Sequence, residues 1–329
     1  MGVKNKIAKL YYYIRGIAQT ALSPVLYHNR PAYNKKYTLA ICGIFKDEAR
    51  FLKEWIIYHQ LIGIQHFYLY NNNSTDNYAD VLKSFIDDGI VTLIEWPYEQ
   101  GQITAYKNFY DRFRHETQWV SFLDIDEFFV PKKDISLFDW IKRHDKAPVL
   151  QVYWKMFGSS GVLEHDDMKL VTEQYHCSWP TLVRCGKCFI NTDYQISDFD
   201  ASTHHATKVY SKIAKKIKLY PHDIFGSVNV NKPEKLLNKK YTENSDIQIN
   251  HYWSKGWDVY NYKRRMTGDV YFVNNPKNNL WYFLKNELNN TSQDMNIWRF
   301  ILPLKWKMYN KPESMEVEKY LSRKDTNTE

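Results

Sequence analysis

Apolar segments of strand length alternate with segments of helical spacing between residues 37 and 130, and this alternation constrains the fold most strongly. The first apolar run is Tyr37–Phe45, and similar runs lie at 66–70, 90–96 and 119–130. Between them, apolar side chains recur every three or four residues, as in an amphipathic helix. Strands that alternate with helices at this spacing predict an α/β fold built on a doubly wound sheet.

The run at 119–130 is predicted to be a buried strand that ends in three carboxylates, Asp124, Asp126 and Glu127. Because side chains alternate between the two faces of a strand, Asp124 and Asp126 should project in the same direction. Two carboxylates on one side repel each other unless a cation lies between them, and oxygen ligands suit a hard ion such as Mg²⁺ or Mn²⁺. The Asp-x-Asp pair therefore predicts a metal site that would hold a diphosphate, whereas a solvated loop after a strand is the simpler alternative.

Polar segments follow each of the predicted strands. They lie at 46–48, 71–76, 101–102 and 124–126, and right-handed crossovers should bring all four to the carboxyl edge of the sheet. Ligands of open α/β sheets bind along that edge. No Gly-x-Gly-x-x-Gly follows the first apolar run and no Gly-Lys-Ser/Thr P-loop occurs, so the sequence lacks both the dinucleotide-binding and the P-loop fingerprint.

The charge of the chain favours anionic partners. Its 329 residues carry a formal net charge of +8, and 16% of them are aromatic. A basic surface suits nucleotide donors, acidic glycans, anionic lipid or nucleic acid, and aromatic rings either stack on such ligands or pack the core. The basic residues are scattered and never form a run of five, which argues against a nucleic-acid-binding protein.

We expect three regions: an N-terminal helical segment at 1–36, a principal domain at 37–268 and a C-terminal helical tail at 269–329 whose end is disordered. The sequence contains no apolar stretch of about 18 residues and no signal-peptide pattern. The N-terminal segment mixes basic residues with Leu10, Ile14 and Ile17. It is expected to pack on the domain as a plain helix or, alternatively, to make peripheral membrane contact as a basic interfacial helix.

Three of the four cysteines, Cys177, Cys185 and Cys188, cluster near His176. This grouping permits a zinc site, but a second Cys-x-x-Cys is missing. We therefore expect reduced thiols in a reducing compartment.

Six segments of the chain, taken together and in chain order, resemble the sequence of a known protein family. They read ICGIFKDEARFLKEWIIYHQLIGIQHFYLYNNNSTDN, GIVTLIEWP, WVSFLDIDEFFVP, YWKMFGSSG, THH and INHYWSKGWDVY. The set resembles glycosyltransferase family 92, a GT-A (Rossmann-like) family related to glycosyltransferase family 2. The chain departs from the usual family pattern at Asp47, Asn71 and Gly256, where the family more often has Asn, Asp and Ser. The resemblance implies a doubly wound mixed sheet with an elaborated C-terminal half.

The resemblance also implies a metal-dependent, inverting transferase that uses a UDP-sugar, with galactose the expected hexose, a glycan the acceptor and Mn²⁺ or Mg²⁺ the cofactor. A composition rich in Lys, Asn, Ile and Tyr suggests a bacterial enzyme of surface polysaccharide synthesis that acts in the cytoplasm, at the inner face of the membrane. Nucleic acid is not an expected partner. Two other functions stay open: a metal-dependent phosphotransferase or nuclease that uses the same carboxylates, and a non-catalytic binder of anionic glycan or nucleic acid.

The metal ligands implied by the resemblance are Asp124, Asp126 and His251, with His204 and His205 as competing ligands. Polar residues on or near the four edge segments would contact the nucleotide sugar, although helix capping or turn formation also explains several of them: Lys46, Glu48, Asn72, Ser74, Asp76, Gln102, Asn108 and Asp124.

An inverting transfer needs a general base that deprotonates the acceptor hydroxyl. The candidates are Glu164, Asp166 and Asp167, each of which could instead be a surface charge. Trp154 and Trp179 are expected to pack in the core rather than to stack on a sugar.

Overall fold

A nine-stranded mixed sheet runs through the computed structural model, which describes residues 3–27, 34–133, 136–200, 203–230, 236–263, 279–311 and 314–316. Its strands, with those of two small two-stranded sheets, are β1 Tyr37–Phe45, β2 His66–Asn71, β3 Val91–Glu95, β4 Thr117–Phe122, β5 Glu127–Pro131, β6 Val149–Met156, β7 Cys177–Ser178, β8 Val183–Asn191, β9 Val209–Tyr210, β10 Lys218–Leu219, β11 His222–Asp223, β12 Ile247–His251 and β13 Ser292–Gln293. The helices are α1 Val3–Leu26, α2 Ala49–Leu61, α3 Tyr78–Asp87, α4 Gln102–Phe113, α5 Leu137–His144, α6 Val171–Gln174, α7 Lys239–Asn244, α8 Trp257–Tyr260, α9 Leu280–Glu287 and α10 Ile301–Met308, with a 3-10 helix at Asn296–Phe300.

The large sheet consists of a parallel half and a mixed half. Its strand order is β3-β2-β1-β4-β8-β6-β12-β5, and β11 also pairs with β6. Strands β1 to β4 are mutually parallel, whereas β8 runs antiparallel to both β4 and β6. Strand β12 is parallel to β6, and β5 is antiparallel to β12. The predicted α/β class with a doubly wound mixed sheet of the GT-A type is therefore confirmed.

Side chains of β1 alternate between two hydrophobic cores. Leu39 and Ile41 pack in the first core, together with residues of α2, α3 and α5. Ala40 and Cys42 pack in the second, together with residues of α4. Because both faces of the strand are covered, its sequence is continuously apolar, and the loops at its carboxyl end remain the accessible part of this layer.

The prediction of one strand over 119–130 is wrong. Strand β4 ends at Phe122, and a turn follows in which the Glu127 amide donates to the Asp124 carbonyl oxygen over 3.1 Å. The chain then enters β5, which pairs antiparallel with β12. Both strands are fully buried, so the apolar pattern is the same on either side of the turn and does not reveal the break. The argument that alternation along one strand aligns Asp124 with Asp126 therefore fails.

Helix α2 is capped by a residue that is distant in sequence, and Asp47, although it lies just before the helix, does not cap it. Asp47 has a φ of 52°, and its Oδ1 accepts a hydrogen bond from the Thr75 amide over 2.7 Å. The Ala49 amide at the start of α2 donates instead to Asp76 Oδ2 over 2.7 Å. Local sequence could not reveal this cap, because Asp76 belongs to the loop after β2.

After β5 the chain forms α5, which Ser136 caps because its hydroxyl accepts from the Asp139 amide, and then β6. The domain boundary predicted at 268 and the end of the tail predicted to be disordered lie outside the described residues. Across the described ranges, no helix combines the length and hydrophobicity that a bilayer span requires.

Stability should fall on acidification because buried histidines stay neutral in the folded chain. Burial lowers the pKa of His59 from 6.5 to about 3, and its Nδ1 lies 2.8 Å from the Trp55 carbonyl oxygen. Below pH 6.5 the unfolded chain therefore binds a proton here that the folded chain does not bind until about pH 3. This residue alone should lower the free energy of unfolding by about 2 kcal/mol between pH 6.5 and about 4.5.

Urea unfolding at the two pH values measures this effect. The loss of stability should be smaller in His59→Gln than in the wild type, whereas His115→Gln, at an exposed position, should change nothing. An identical loss in wild type and His59→Gln would show that His59 is not the titrating group.

Candidate functional site

The turn between β4 and β5 carries the three carboxylates at the carboxyl edge of the parallel half of the sheet. Asp124 is partly exposed, with 31% of its side chain accessible, whereas Asp126 and Glu127 are buried. Gln102, at the start of α4, donates from Nε2 to Asp124 Oδ1 over 3.2 Å. Two of the four predicted edge segments thus meet directly at Asp124.

A fully buried lysine neutralises part of this acidic turn. Lys187 Nζ lies 2.7 Å from Asp124 Oδ2 and 3.5 Å from Glu127 Oε2. Although burial opposes its charged form, the neighbouring carboxylates of Asp124 and Glu127 hold the pKa of Lys187 above its usual value. Burial also raises the pKa of Glu127 well above its usual value, and Lys187 only partly opposes that shift.

The position of Lys187 follows from the pairing of β8. In the antiparallel register with β4, Ser121 lies opposite Phe189, so the line of β8 continues past the end of β4 towards the acidic turn. On its other side β8 pairs with β6, with Lys187 opposite Val152, Gly186 opposite Tyr153 and a register shift after that second pair. Gly186 lies at this close approach, where a Cβ would collide with the Val152 carbonyl oxygen. A larger residue at 186 would therefore displace Lys187 from the turn.

Asp126 and Glu127 face a histidine of β12. His251 Nε2 lies 3.6 Å from Asp126 Oδ1, and His251 Nδ1 lies 4.0 Å from Glu127 Oε1. The backbone maintains this arrangement, because the Tyr252 amide donates to the Asp126 carbonyl oxygen over 2.8 Å. Within the described residues, His251 Nδ1 and Glu127 Oε1 are buried and have no hydrogen-bond partner.

These groups fit a divalent cation in part. A carboxylate oxygen and an imidazole nitrogen 3.6 Å apart can share one coordination sphere of Mn²⁺ or Mg²⁺. The described residues contain no group of three or more His, Cys, Asp or Glu side chains arranged around a common point, so a diphosphate and water would have to complete the shell. Asp124 accepts hydrogen bonds from Lys187 and Gln102.

The competing histidines lie beside the same turn but differ in environment. Burial, with Lys187 nearby, lowers the pKa of His205 to about 3 and that of His204 well below its usual value. His205 Nδ1 lies 2.9 Å from the Gly186 carbonyl oxygen. The Trp154 ring lies between His205 and His251, with centroid distances of 5.0 and 4.7 Å. Trp154 thus forms part of the wall of the site.

Glu48 and Asp76, which were predicted to contact the nucleotide, each have one carboxylate oxygen without a hydrogen-bond partner among the described residues. Glu48 is buried and forms an ion pair with Lys263, while its Oε2 has no partner among the described residues. Asp76 uses Oδ2 to cap α2, and across the same part of the chain its buried Oδ1 lacks a partner. Both carboxylates can therefore accept from a ligand without losing the contact that positions them.

The other predicted contacts have structural roles in this arrangement. Asn72 Nδ2 donates to the Trp96 and Tyr98 carbonyl oxygens, and the Ser74 hydroxyl accepts from the Asp47 amide. Asn108 Oδ1 accepts from the Tyr70 hydroxyl over 2.9 Å. Lys46 is half-buried directly after β1. Asn72 and Ser74 thus shape the edge loops, and whether they also contact a ligand stays a prediction.

The three candidate bases lie together on the loop after β6, and all are exposed. Asp167 forms an ion pair with Arg50. Asp166 accepts from the Met168 amide and lies near Lys169, and these two contacts hold its pKa below its usual value. A carboxylate with a lowered pKa is a weaker base. Glu164 is therefore the candidate to test first.

Sequence reasoning missed Lys187 and Lys263, the two cations that contact the predicted carboxylates. Lys187 lies in β8, far from the acidic turn in sequence, and the run VRCGKCFIN looks like an ordinary strand. Lys187 could have been noticed as a lysine among the apolar residues of a predicted buried strand, because a buried ammonium group requires a carboxylate partner.

An acidic turn at the carboxyl edge of a doubly wound sheet places the chain in the class of α/β proteins that bind a ligand at that edge. The model of glycosyltransferase family 92 matches residues 35–324. The chain belongs to this family.

Named plant members of the family align with large parts of the chain. A family 92 protein of Ricinus communis is 29% identical over 234 residues, which cover 70% of this chain and 38% of that protein. A family 92 protein of Oryza sativa subsp. japonica is 33% identical over 158 residues, covering 47% and 27% of the two chains. The matched part is thus less than half the length of these relatives.

Solved structures resemble the chain more weakly. The crystal structure of S. aureus TarS 1–349 aligns over 39% of this chain and 38% of that chain, with 13% identity and a TM-score of 0.32. The same protein in complex with UDP gives a TM-score of 0.30 over the same shares. Similarity at this level carries no argument about the site.

Proposed function

We propose that the chain is a metal-dependent, inverting hexosyltransferase that moves a hexose from a UDP-sugar to a glycan acceptor. Galactose is the hexose that we propose first. Family membership supports the class of reaction. The observation that carries the proposal is the approach of Asp126 Oδ1 to His251 Nε2, 3.6 Å apart, next to Asp124 at the carboxyl edge of the sheet. One oxygen and one nitrogen ligand on neighbouring segments suit a cation that also binds diphosphate.

Each part of the site has a role in this proposal. Asp126 and His251 would bind Mn²⁺ or Mg²⁺, which supplies positive charge against the departing diphosphate. Lys187 holds Asp124 in place, and Asp124 Oδ1 and Gln102 face the donor. Glu48 and Asp76 offer their unused oxygens to hydroxyl or amide groups of the nucleoside.

The general base would come from the exposed loop after β6. Glu164 is the first candidate because Arg50 engages Asp167 and because the pKa of Asp166 is lowered, chiefly by the hydrogen bond from the Met168 amide. A base on a solvent-facing loop suits a large acceptor, and we propose a bacterial surface polysaccharide assembled on the cytoplasmic side of the membrane.

Calorimetric titration with UDP tests the donor half of the proposal. The chain should bind UDP in the presence of Mn²⁺ and at least about tenfold more weakly after chelation, because the ion offsets the diphosphate charge. His251→Ala should weaken binding in Mn²⁺ but change little without it. His144→Ala, which removes a half-buried histidine at the end of α5, is the matched control.

A panel of UDP-sugars, followed by determination of the anomeric configuration of the product, then tests the hexose and the stereochemistry. UDP binding that is equal with and without Mn²⁺ would contradict the metal part of the proposal. Absence of UDP binding under every condition would contradict the donor itself.

A further inference from the structure

Helix α1 packs against the domain with a narrow stripe of small and polar residues. Gly16 lies against Val230, where an added Cβ would be 3.5 Å from the valine methyl group. Gln19 is buried, donating to the Tyr220 carbonyl oxygen and accepting from the Tyr220 amide, each over 2.9 Å. The Leu26 carbonyl oxygen accepts from the Ser211 hydroxyl over 3.0 Å. These contacts attach the helix to the segment around β9, β10 and β11.

The large apolar side chains of α1 lie on the opposite side and are exposed. They recur at helical spacing and have accessible fractions between 51% and 62%: Ile7, Leu10, Ile14, Ile17, Leu22 and Val25. Tyr11 and Tyr13 are exposed beside them. An ordinary surface helix buries its apolar face and exposes its polar one, so this helix has the reverse orientation. A contiguous exposed apolar face marks an interaction surface.

Lysines lie along one margin of this face. Ile217, Lys218 and Leu219 line a groove of about 380 Å³ together with residues of α1. Lys212, Lys215 and Lys216 precede them and are exposed, as are Ile213 and Ile217. The helix and residues 206–219 together contain nine Lys or Arg and no Asp or Glu. Asp198 pairs with Lys218 and offsets that charge, whereas Lys215 and Lys216 are exposed and leave this margin with a net positive charge.

This charge pattern decides between two occupants. A second copy of the helix would bring another set of cations to the interface without an acidic partner, whereas paired helices normally place opposite charges beside their apolar seam. An anionic bilayer offers a hydrocarbon interior to the apolar side chains and negatively charged head groups to the lysines. Tyrosine side chains favour the interface between these two layers. We infer that the outward face of α1 and the lysines of residues 212–216 form a docking surface for an anionic lipid bilayer.

Co-sedimentation of the whole chain with lipid vesicles tests this surface. The wild type should bind vesicles of phosphatidylcholine mixed with phosphatidylglycerol and bind pure phosphatidylcholine at least about tenfold more weakly. Added salt should weaken the binding. Failure of the wild type to sediment with the anionic vesicles would overturn the inference.

Variants at exposed positions locate the surface. Ile14→Glu with Ile17→Glu should lower the partition coefficient at least about tenfold, because two charges would enter the apolar layer. The control is Trp281→Glu with Leu288→Glu, which alters two still more exposed apolar side chains on and beside α9 and should bind as the wild type does. Normal binding by the α1 pair, or loss of binding in the control pair alone, would overturn the assignment.

The lysines beside the apolar face of α1 are tested with a double variant and a matched control. Lys215→Gln with Lys216→Gln should reduce binding to anionic vesicles severalfold, whereas Lys239→Gln with Lys240→Gln, two exposed lysines at the start of α7, should not.

Light scattering tests the alternative occupant, a second copy of the chain. A wild-type dimer that the α1 pair converts to monomers, without vesicle binding, would show that the face pairs with a second copy instead. A thermal unfolding curve of every variant serves as the control for folding.

Discussion

Asp126→Ala is expected to lower hexose transfer by at least about 10³-fold while leaving the fold intact. The carboxylate is buried 3.6 Å from His251 Nε2, where it would bind the cation, and alanine offers no ligand in its place. The backbone contact from the Tyr252 amide to the Asp126 carbonyl oxygen does not depend on the side chain. Turnover of a UDP-sugar, measured at saturating Mn²⁺ beside a thermal unfolding curve, gives the result.

Asp87→Ala is the matched control for this substitution. Asp87 is an exposed carboxylate paired with Lys83 on α3, so its removal should leave turnover within about twofold of the wild type. Asp126→Asn separates charge from shape, because an amide fills the same space but binds a cation poorly. Substantial transfer by both Asp126 variants would show that the buried carboxylate does not serve the reaction.

Lys187→Met is expected to lower the free energy of unfolding by about 3–5 kcal/mol. The ammonium group is inaccessible and lies 2.7 Å from Asp124 Oδ2 and 3.5 Å from Glu127 Oε2. Methionine preserves most of the volume but leaves Asp124 and Glu127 without their cation, so Glu127 must either be buried as a charge or bind a proton. Chemical unfolding at neutral pH measures the loss, and Lys83→Met, at an exposed ion pair, should change stability by no more than about 0.5 kcal/mol.

A double variant identifies the source of that loss. Glu127→Gln replaces the carboxyl group that has lost its cation with a neutral amide, so Lys187→Met with Glu127→Gln should recover part of the stability lost in Lys187→Met alone. Additive effects of the two substitutions would indicate that they act independently. A Lys187→Met chain as stable as the wild type would show that this ion pair contributes nothing to the acidic turn.

Apart from the end of β4, the parallel half of the sheet could be predicted from the sequence because its signals are local. Each strand there is a continuous apolar run, and each is followed by polar residues at the carboxyl edge, as β1 and Lys46 illustrate. Alternation of strands and helices then leaves few possible topologies. The mixed half was less predictable, because β8, β6 and β12 pair out of chain order and the apolar pattern of β5 says nothing about its partner.

The candidate site, too, could be predicted from the sequence only in part. Asp126 and His251 lie 3.6 Å apart and Asp124 lies on the same turn as Asp126, but the partners of these residues do not follow from the resemblance. Lys187 reaches the turn through the pairing of β8 with β4, and Asp76 reaches α2 from the loop after β2. Both contacts join residues that are far apart in sequence, and neither carries a local pattern that would reveal it.

The break between β4 and β5 determines how the site can vary. In the sheet, β4 and β5 are separated by β8, β6 and β12, which in a flat sheet would place them about 19 Å apart. Residues 123–126 join them, and even fully extended they would span only about 17 Å. The mixed half must therefore curl back towards β4, and the acidic turn is the shortest connection across the opening. An inserted or deleted residue in this turn would change how far the sheet closes, so relatives should keep its length.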